Sequence, residues 1–231
     1  MNCVAIIPAR GGSVRVPQKN IKSLKGEPLI VHTIQQALES KICDKVIVST
    51  DDDTIALISA LNGAEILNRP KDLAGDVESE LVIQNAVQQL EEINYKPDIV
   101  VMLQCTSPLR KPETIRKCVL TLLDNWKICD SVITVSPITH RPEWMGCISD
   151  DMFFIPYTTT WGTTVRLVAS QSLPKLYAQN GCVYAFKRDL IMNECTIISS
   201  TTKVVIIDEK EAFDIDLPID FVVAEQLMSE G

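Results

Sequence analysis

Four short apolar runs constrain this chain more than any other feature: Val4-Ala5-Ile6-Ile7, the segment Lys45 to Thr50, Asp98 to Leu103, and Ser131 to Val135. Each is nearly continuous in hydrophobicity, as expected of strands covered on both faces. Segments with helical periodicity lie between them. They run from Leu29 to Ser40 behind Pro28, from Asp51-Asp52-Asp53 through Leu61 to a stop at Gly63, from Glu80 to Ile93, and from Lys111-Pro112-Glu113 to about Trp126. Ala64 to Leu67, Cys182 to Phe186 and Lys203 to Ile207 add shorter strands, and Pro218 opens a last helix over Ile219 to Met228. Strands alternating with helices predict an α/β fold with a Rossmann-like, doubly wound, mostly parallel sheet. Aromatic residues are only 5% of the chain, so Val, Ile, Leu and Ala must fill that core. A length of 231 residues suits one domain, 1–231. Residues 137–180 break the pattern. They hold Pro137, Pro142, Pro156, Pro174 and two tryptophans without a clear helix, and read as an irregular insertion outside the sheet that serves a site or a partner subunit.

Charge is distributed unevenly. The net charge of −8 argues against a general nucleic-acid binder. Yet residues 1–26 carry Arg10, Arg15, Lys19, Lys22 and Lys25 and no Asp or Glu, which marks a local anion site. None of the eight cysteines forms a C-x-x-C pair. Reduced thiols, the absence of a leader pattern at Met1-Asn2-Cys3 and the absence of a transmembrane-length apolar run lead to the expectation of a cytoplasmic protein with no membrane partner.

Three stretches could carry chemistry. The first strand runs into Pro8-Ala9-Arg10-Gly11-Gly12-Ser13-Val14-Arg15-Val16-Pro17-Gln18-Lys19-Asn20. Paired glycines let backbone N–H groups approach an anion, while Arg10 offers a planar fork and Lys19 a mobile point charge. The loop is neither a Walker A nor a G-x-G-x-x-G sequence, and an ordinary solvated turn is the competing reading. Asp214-Ile215-Asp216 would place two carboxylates on one side of an extended segment, suited to Mg²⁺; alternatively Asp216 caps the helix at Pro218. Leu103-Gln104-Cys105-Thr106-Ser107-Pro108-Leu109-Arg110 follows a central strand and could line a nucleotide pocket or simply turn the chain.

Taken in order, I-P-A-R-G-G-S-x-R-x-P-x-K-N, V-S-T-D, L-Q-x-T-S-P-L-R, N-G-x-x-Y and D-I-D resemble the CMP-N-acylneuraminate (CMP-sialic acid) synthetases over nearly the whole chain. The resemblance implies a cytidylyltransferase that uses CTP, Mg²⁺ and an acidic nine-carbon sugar, works as a homodimer through the insertion, and releases pyrophosphate. It implies catalytic roles for Arg10, Lys19, Asp214 and Asp216, the two aspartates being the metal ligands. It puts Pro8, Ala9, Arg10, Gly11, Gly12, Ser13, Arg15, Lys19, Asn20, Arg69, Asp76 and Ser79 on the nucleotide, and Gln104, Thr106, Ser107, Gln171, Asn180, Gly181 and Tyr184 on the sugar.

This chain departs from that pattern in two places. Val14 stands where the family loop usually has Lys, so one phosphate contact is either lost or supplied by Arg15. Arginines usual on the sugar side are replaced by Ala169, Ser170 and Ala178, which leaves Arg166 or Lys175 to meet the sugar carboxylate, or implies a different acid such as legionaminic acid or another keto-sugar acid. Two other readings compete: a nucleotide-sugar glycosyltransferase that uses Asp214-Ile215-Asp216 as its D-x-D, and a non-catalytic nucleotide-binding protein.

Overall fold

The computed structural model describes residues 1–138, 140–157 and 174–230. The first half is built from β1 (Cys3–Pro8), a small hairpin of β2 (Ser23–Leu24) and β3 (Glu27–Pro28), α1 (Leu29–Ser40), β4 (Lys45–Thr50), α2 (Asp53–Leu61), β5 (Glu65–Asn68) and α3 (Ser79–Glu92). The second half has β6 (Ile99–Met102), α4 (Pro112–Asp124), β7 (Ser131–Pro137), a hairpin of β8 (Gly146–Ile148) and β9 (Phe154–Pro156), β10 (Tyr177–Lys187), α5 (Arg188–Glu194), β11 (Lys203–Ile206) and α6 (Pro218–Ser229).

Seven strands share one sheet in the order β11-β7-β10-β6-β1-β4-β5. All neighbours are parallel except β10, which runs antiparallel to both β6 and β7. Alternation along β1 explains its continuous hydrophobicity. Ala5 and Ile7 pack toward Ile30 and Ile34 of α1 and Ile115 and Val119 of α4. Val4 and Ile6 face Ile83, Val87 and Leu90 of α3 and Leu190 and Ile191 of α5. Each such Val, Ile or Leu side chain contributes ~1.5–3 kcal/mol on burial.

The topology also locates a crevice. From β1 the chain winds outward to β4 and β5, then crosses to β6 on the other side of β1. Open α/β sheets bind ligands at such a reversal, outside the carboxyl ends of the strands. A third apolar cluster secures this end: Val16 from the loop after β1 packs with Leu24, Leu29, Ile215, Phe221 and Ala224. Burial of Ile215 thus moors both flanking aspartates beside the glycine loop.

The irregular segment is narrower than 137–180. Pro137 ends β7, and Tyr177, Ala178 and Gln179 pair with Pro137, Ser136 and Val135 inside the main sheet. The first residues of β10, Tyr177-Ala178-Gln179, are exposed and form no apolar run, which disguises them as loop in the sequence. The described part of the segment contains the β8–β9 hairpin and a single 3-10 turn at Pro142–Trp144. α5, only seven residues long, has no counterpart in the sequence reading.

Candidate active site

The crevice is a cleft of about 650 Å³. Pro8, Arg10, Ser13, Arg15, Lys19, Asn20, Arg69, Asp76, Ser79, Gln104, Thr106, Asp214 and Asp216 all line it, joined by Val14, Cys105 and the first turn of α3. Residues up to 208 positions apart in sequence therefore share one wall, because β1, β5, β6 and the segment after β11 all end at the same edge of the sheet.

Three anchors hold the glycine loop. Ala9, itself fully buried, donates its N–H to the Ser49 carbonyl at 3.0 Å, and the Asn20 amide donates to the Arg10 carbonyl at 3.0 Å. Val16 is the apolar pin. A Cβ at position 11 would lie 2.8 Å from Asp52 Oδ2, so that position needs glycine for close packing. The Gly11 N–H donates to Asp51 Oδ1 at 3.1 Å, while Asp52 caps α2 through the Ile55 N–H at 2.9 Å.

The loop cations are paired with carboxylates. Arg10 lies 3.3 Å from Asp76 and also donates to the Gly75 carbonyl. Arg15 donates to Asp216 Oδ2 at 2.8 Å. Lys19 reaches the Ile215 carbonyl at 2.8 Å and Asp216 Oδ1 at 3.4 Å. Arg69 is buried, donates to the Ser49 carbonyl at 2.8 Å, and leaves its Nε without a partner. Burial lowers the pKa of its guanidinium, an effect partly countered by Asp51.

Asp214 and Asp216 differ in environment. The Ile215 N–H donates to the Thr106 carbonyl at 2.8 Å, which stitches this segment to the end of β6. Asp214 Oδ1 is buried and unpartnered, and desolvation raises the carboxyl's pKa against the opposing pull of the Thr106 hydroxyl. Asp216 does not cap α6. Asp220 reaches back instead, accepting the N–H groups of Asp216 at 2.8 Å and Leu217 at 2.7 Å, and so leaves the Asp216 carboxylate to the cleft. An unpartnered buried carboxylate oxygen beside a second carboxylate is a donor set that fits Mg²⁺ shared with phosphate oxygens. Burial pushes the Cys105 thiol up to about 12, which disfavours the thiolate form.

Residues read from sequence as sugar-binding are only partly gathered. Gln104 and Thr106 line the cleft. Gly181 has φ +72°, and a Cβ there would meet Gln104 Oε1, so backbone and side chain alike require glycine. Asn180 Oδ1 accepts from the Thr134 hydroxyl at 2.7 Å and the Cys182 N–H at 3.2 Å, and its buried Nδ2 has no partner. Tyr184 follows on the same strand, nearly buried, with desolvation raising its pKa. Ser107 lies wholly inside the fold, and its hydroxyl has no partner. Gln171 and Arg166 fall outside the described residues, as do Ala169 and Ser170.

Two organising residues escaped sequence reasoning. Arg110, fully buried, donates from Nε to the Cys182 carbonyl at 2.6 Å, from Nη1 to Gln36 Oε1 at 3.1 Å, and from Nη2 to the Gln104 carbonyl. It joins α1, the end of β6 and β10, and so sets where Gln104 stands. Asp51 sits within the Asp51-Asp52-Asp53 run that reads as a helix lead-in. No local signal identified its bond to Gly11, because that partner lies forty positions away.

The Cytidylyltransferase family model matches residues 4–148. A CMP-N,N'-diacetyllegionaminic acid synthase of Legionella pneumophila is 36% identical over 99% of this chain and 97% of its own length. An N-acylneuraminate cytidylyltransferase of Streptococcus agalactiae is 29% identical over 96% of this chain but only 52% of that protein. Among solved structures, a CMP-2-keto-3-deoxy-manno-octonic acid synthetase complexed with CTP is similar in fold, with a TM-score of 0.75 at 17% identity and coverage of 100% of this chain and 99% of the other.

Proposed function

The chain belongs to the cytidylyltransferase family, in its CMP-sialic acid synthetase branch, and we propose that it joins CMP from CTP to the anomeric hydroxyl of a nine-carbon acidic sugar of the legionaminic type, releasing pyrophosphate. As a family member it is a nucleotidyltransferase, which sets aside the glycosyltransferase and non-catalytic readings. The observation that carries the proposal is the meeting of Arg10, Arg15 and Lys19 with Asp214 and Asp216 in one cleft. The match to a diacetyllegionaminic synthase over both full lengths favours that sugar class, and N-acetylneuraminate is the second choice.

In this reading the sugar's anomeric hydroxyl gives up its proton to solvent as its oxygen attacks the α-phosphorus, the bond from that phosphorus to the bridging oxygen of the β-phosphate breaks, and pyrophosphate leaves with that electron pair. The protein's work is positioning and charge neutralisation. Arg10 and Lys19 hold the triphosphate, the Gly11 N–H offers a backbone donor, and Arg69 contributes a buried cation. Asp214 and Asp216 are the residues that would hold Mg²⁺, which when bound supplies charge neutralisation at the phosphates. Gln104, Asn180 and Tyr184 orient the sugar.

The first test is pyrophosphate release from CTP and Mg²⁺ with a panel of nine-carbon sugar acids. Release should be greatest with a legionaminic acid, and Asp216→Ala should lower it by ~10²–10³-fold. Failure of the wild-type chain to release pyrophosphate with any of these acids would defeat the proposal.

The reading extends to a homodimer. The β8–β9 hairpin exposes Ile148, Met152, Phe153, Phe154, Ile155 and Tyr157, an apolar surface suited to a second copy. Sedimentation velocity should show a dimer that Phe154→Asp dissociates; a monomeric wild type would exclude it.

A further inference from the structure

Carboxylates in and beside the cleft occupy the groups that a triphosphate would need. Asp51 takes the Gly11 N–H, Asp76 takes Arg10, and Asp216 takes both Arg15 and Lys19. These pairs differ in kind. Asp76 is almost fully solvated, and its ion pair is an ordinary surface contact. Asp216 instead bonds two cations, one through each carboxylate oxygen, and it is one of the two carboxylates assigned to a divalent cation. Both oxygens are thereby in use. Lys19, only 14% exposed at its side chain, keeps the Ile215 carbonyl as a second partner. Arg15 is 66% exposed at its side chain and has Asp216 as its bonded carboxylate, so it is the cation that can leave.

Position 14 adds to the argument. Val14 is 84% exposed and brings no charge to the cleft wall, so Arg15 is the next cation along the loop after Arg10. A group that must serve phosphates cannot at the same time neutralise Asp216. We propose that Arg15 is an exchangeable counterion: it holds Asp216 in the nucleotide-free protein, competes there with a divalent cation, and turns to the phosphate oxygens once that carboxylate is taken. The exchange leaves no charge stranded. Asp216 trades one cation for another, and Arg15 trades one anion for another. Its consequence is that cation and nucleotide bind cooperatively through this side chain, each making room for the other.

The proposal rests on the reading of Asp214 and Asp216 as cation ligands, and its test separates the two. The probe is Mn²⁺, followed by electron paramagnetic resonance on the full nucleotide-free chain. Arg15→Gln removes the competitor, so Mn²⁺ should bind ~2- to 5-fold tighter than to the wild type, in line with the modest strength of an exposed ion pair. The double variant Arg15→Gln/Asp216→Asn should lose that gain. In the presence of Mg²⁺, CTP should bind Arg15→Gln ~10-fold more weakly, an effect opposite in sign to the Mn²⁺ result. A merely structural Arg15 would weaken both ligands together. Arg15→Lys should restore part of the CTP affinity. Mn²⁺ binding to Arg15→Gln that is equal, weaker or absent overturns the proposal, as does a gain that survives loss of Asp216. Either result would leave intact the separate question of whether the wild type releases pyrophosphate. The side chain is exposed and touches no core cluster, so the substitution spares the fold.

Discussion

On the β1 side of the cleft, Arg10, Arg15 and Lys19 all reach carboxylates; toward β10, Gln104 lines the cleft with Gly181 packed on it, and Asn180 and Tyr184, which lie behind that lining, carry no charge. The first flank is a loop and a solvated ion-pair network that can be rearranged at modest cost. The second is a strand of the main sheet, with Asn180 Oδ1 bonded to Thr134 and Gly181 pressed on Gln104. The difference suits two kinds of ligand. A triphosphate carries its charge in and needs cations free to follow it, whereas hydroxyl and amide groups on a sugar are told apart by donors and acceptors held still.

If that division is right, substitutions on the two flanks should separate in steady-state kinetics. Arg10→Ala has the larger effect: KM for CTP should rise ~30-fold, as expected for loss of a charge-assisted phosphate contact, while KM for the sugar stays within ~3-fold. Asn180→Asp is the converse. It keeps the acceptor used by Thr134 and the Cys182 N–H but turns the unpartnered buried donor into an acceptor, so KM for the sugar should rise ~10-fold with CTP little affected. Both variants raising both constants equally would show one coupled site and erase the distinction.

The flanks also differ in how far the sequence revealed them. The β1 side was legible because its signal is local: Val4 to Ile7 makes the strand, Gly11 and Gly12 the turn, and a cluster of cations without acids points to an anion. The cleft does gather Arg10, Arg15, Lys19, Asp214 and Asp216. What stayed hidden there is the pairing, since Arg15 meets Asp216 across 201 positions. The β10 side was less legible. Its antiparallel strand begins in polar, exposed residues from Tyr177, and only Cys182 to Phe186 shows the apolar run of a buried strand. Arg110, which fixes Gln104, closes the stretch after β6 with no sign in sequence of its burial, yet it is fully buried. Ser107 looked like a pocket hydroxyl and lies wholly inside the fold. Periodicity reports burial of apolar groups. It does not report burial of a charge whose hydrogen bonds come from elements distant in sequence.

The smallest predicted effect is on stability, and it probes a carboxylate with one buried oxygen at the end of the cleft. Asp214 sits between Thr106 and Asp216 with Oδ1 unpartnered, and burial raises its pKa above the ordinary carboxylate value. A folded-state pKa above the unfolded one means that the native chain binds this proton more tightly. The ionised carboxylate therefore detracts from stability above the folded pKa, and the penalty disappears as pH falls below the unfolded value. In chelator, Asp214→Asn should make the metal-free chain more stable at pH 7 by ~0.5–1 kcal/mol, a shift of roughly 1–4 °C in Tm. The gain should shrink as pH falls through the titration of Asp214, because the wild-type side chain is then neutral too. The same variant should lose ~10²-fold in pyrophosphate release, since an amide replaces a hard anionic ligand. Thermal melts at neutral and acid pH read the first effect without reference to activity. A gain that is absent, or equally large at acid pH, would mean that Asp214 carries no burial penalty. Asn180→Asp, which adds a carboxylate beside an existing network, should show the opposite pH trend, losing stability as pH rises. Opposite slopes from the two variants would establish that a buried carboxylate belongs at the Asp214–Asp216 end of the cleft and that the surroundings of Asn180 exclude one.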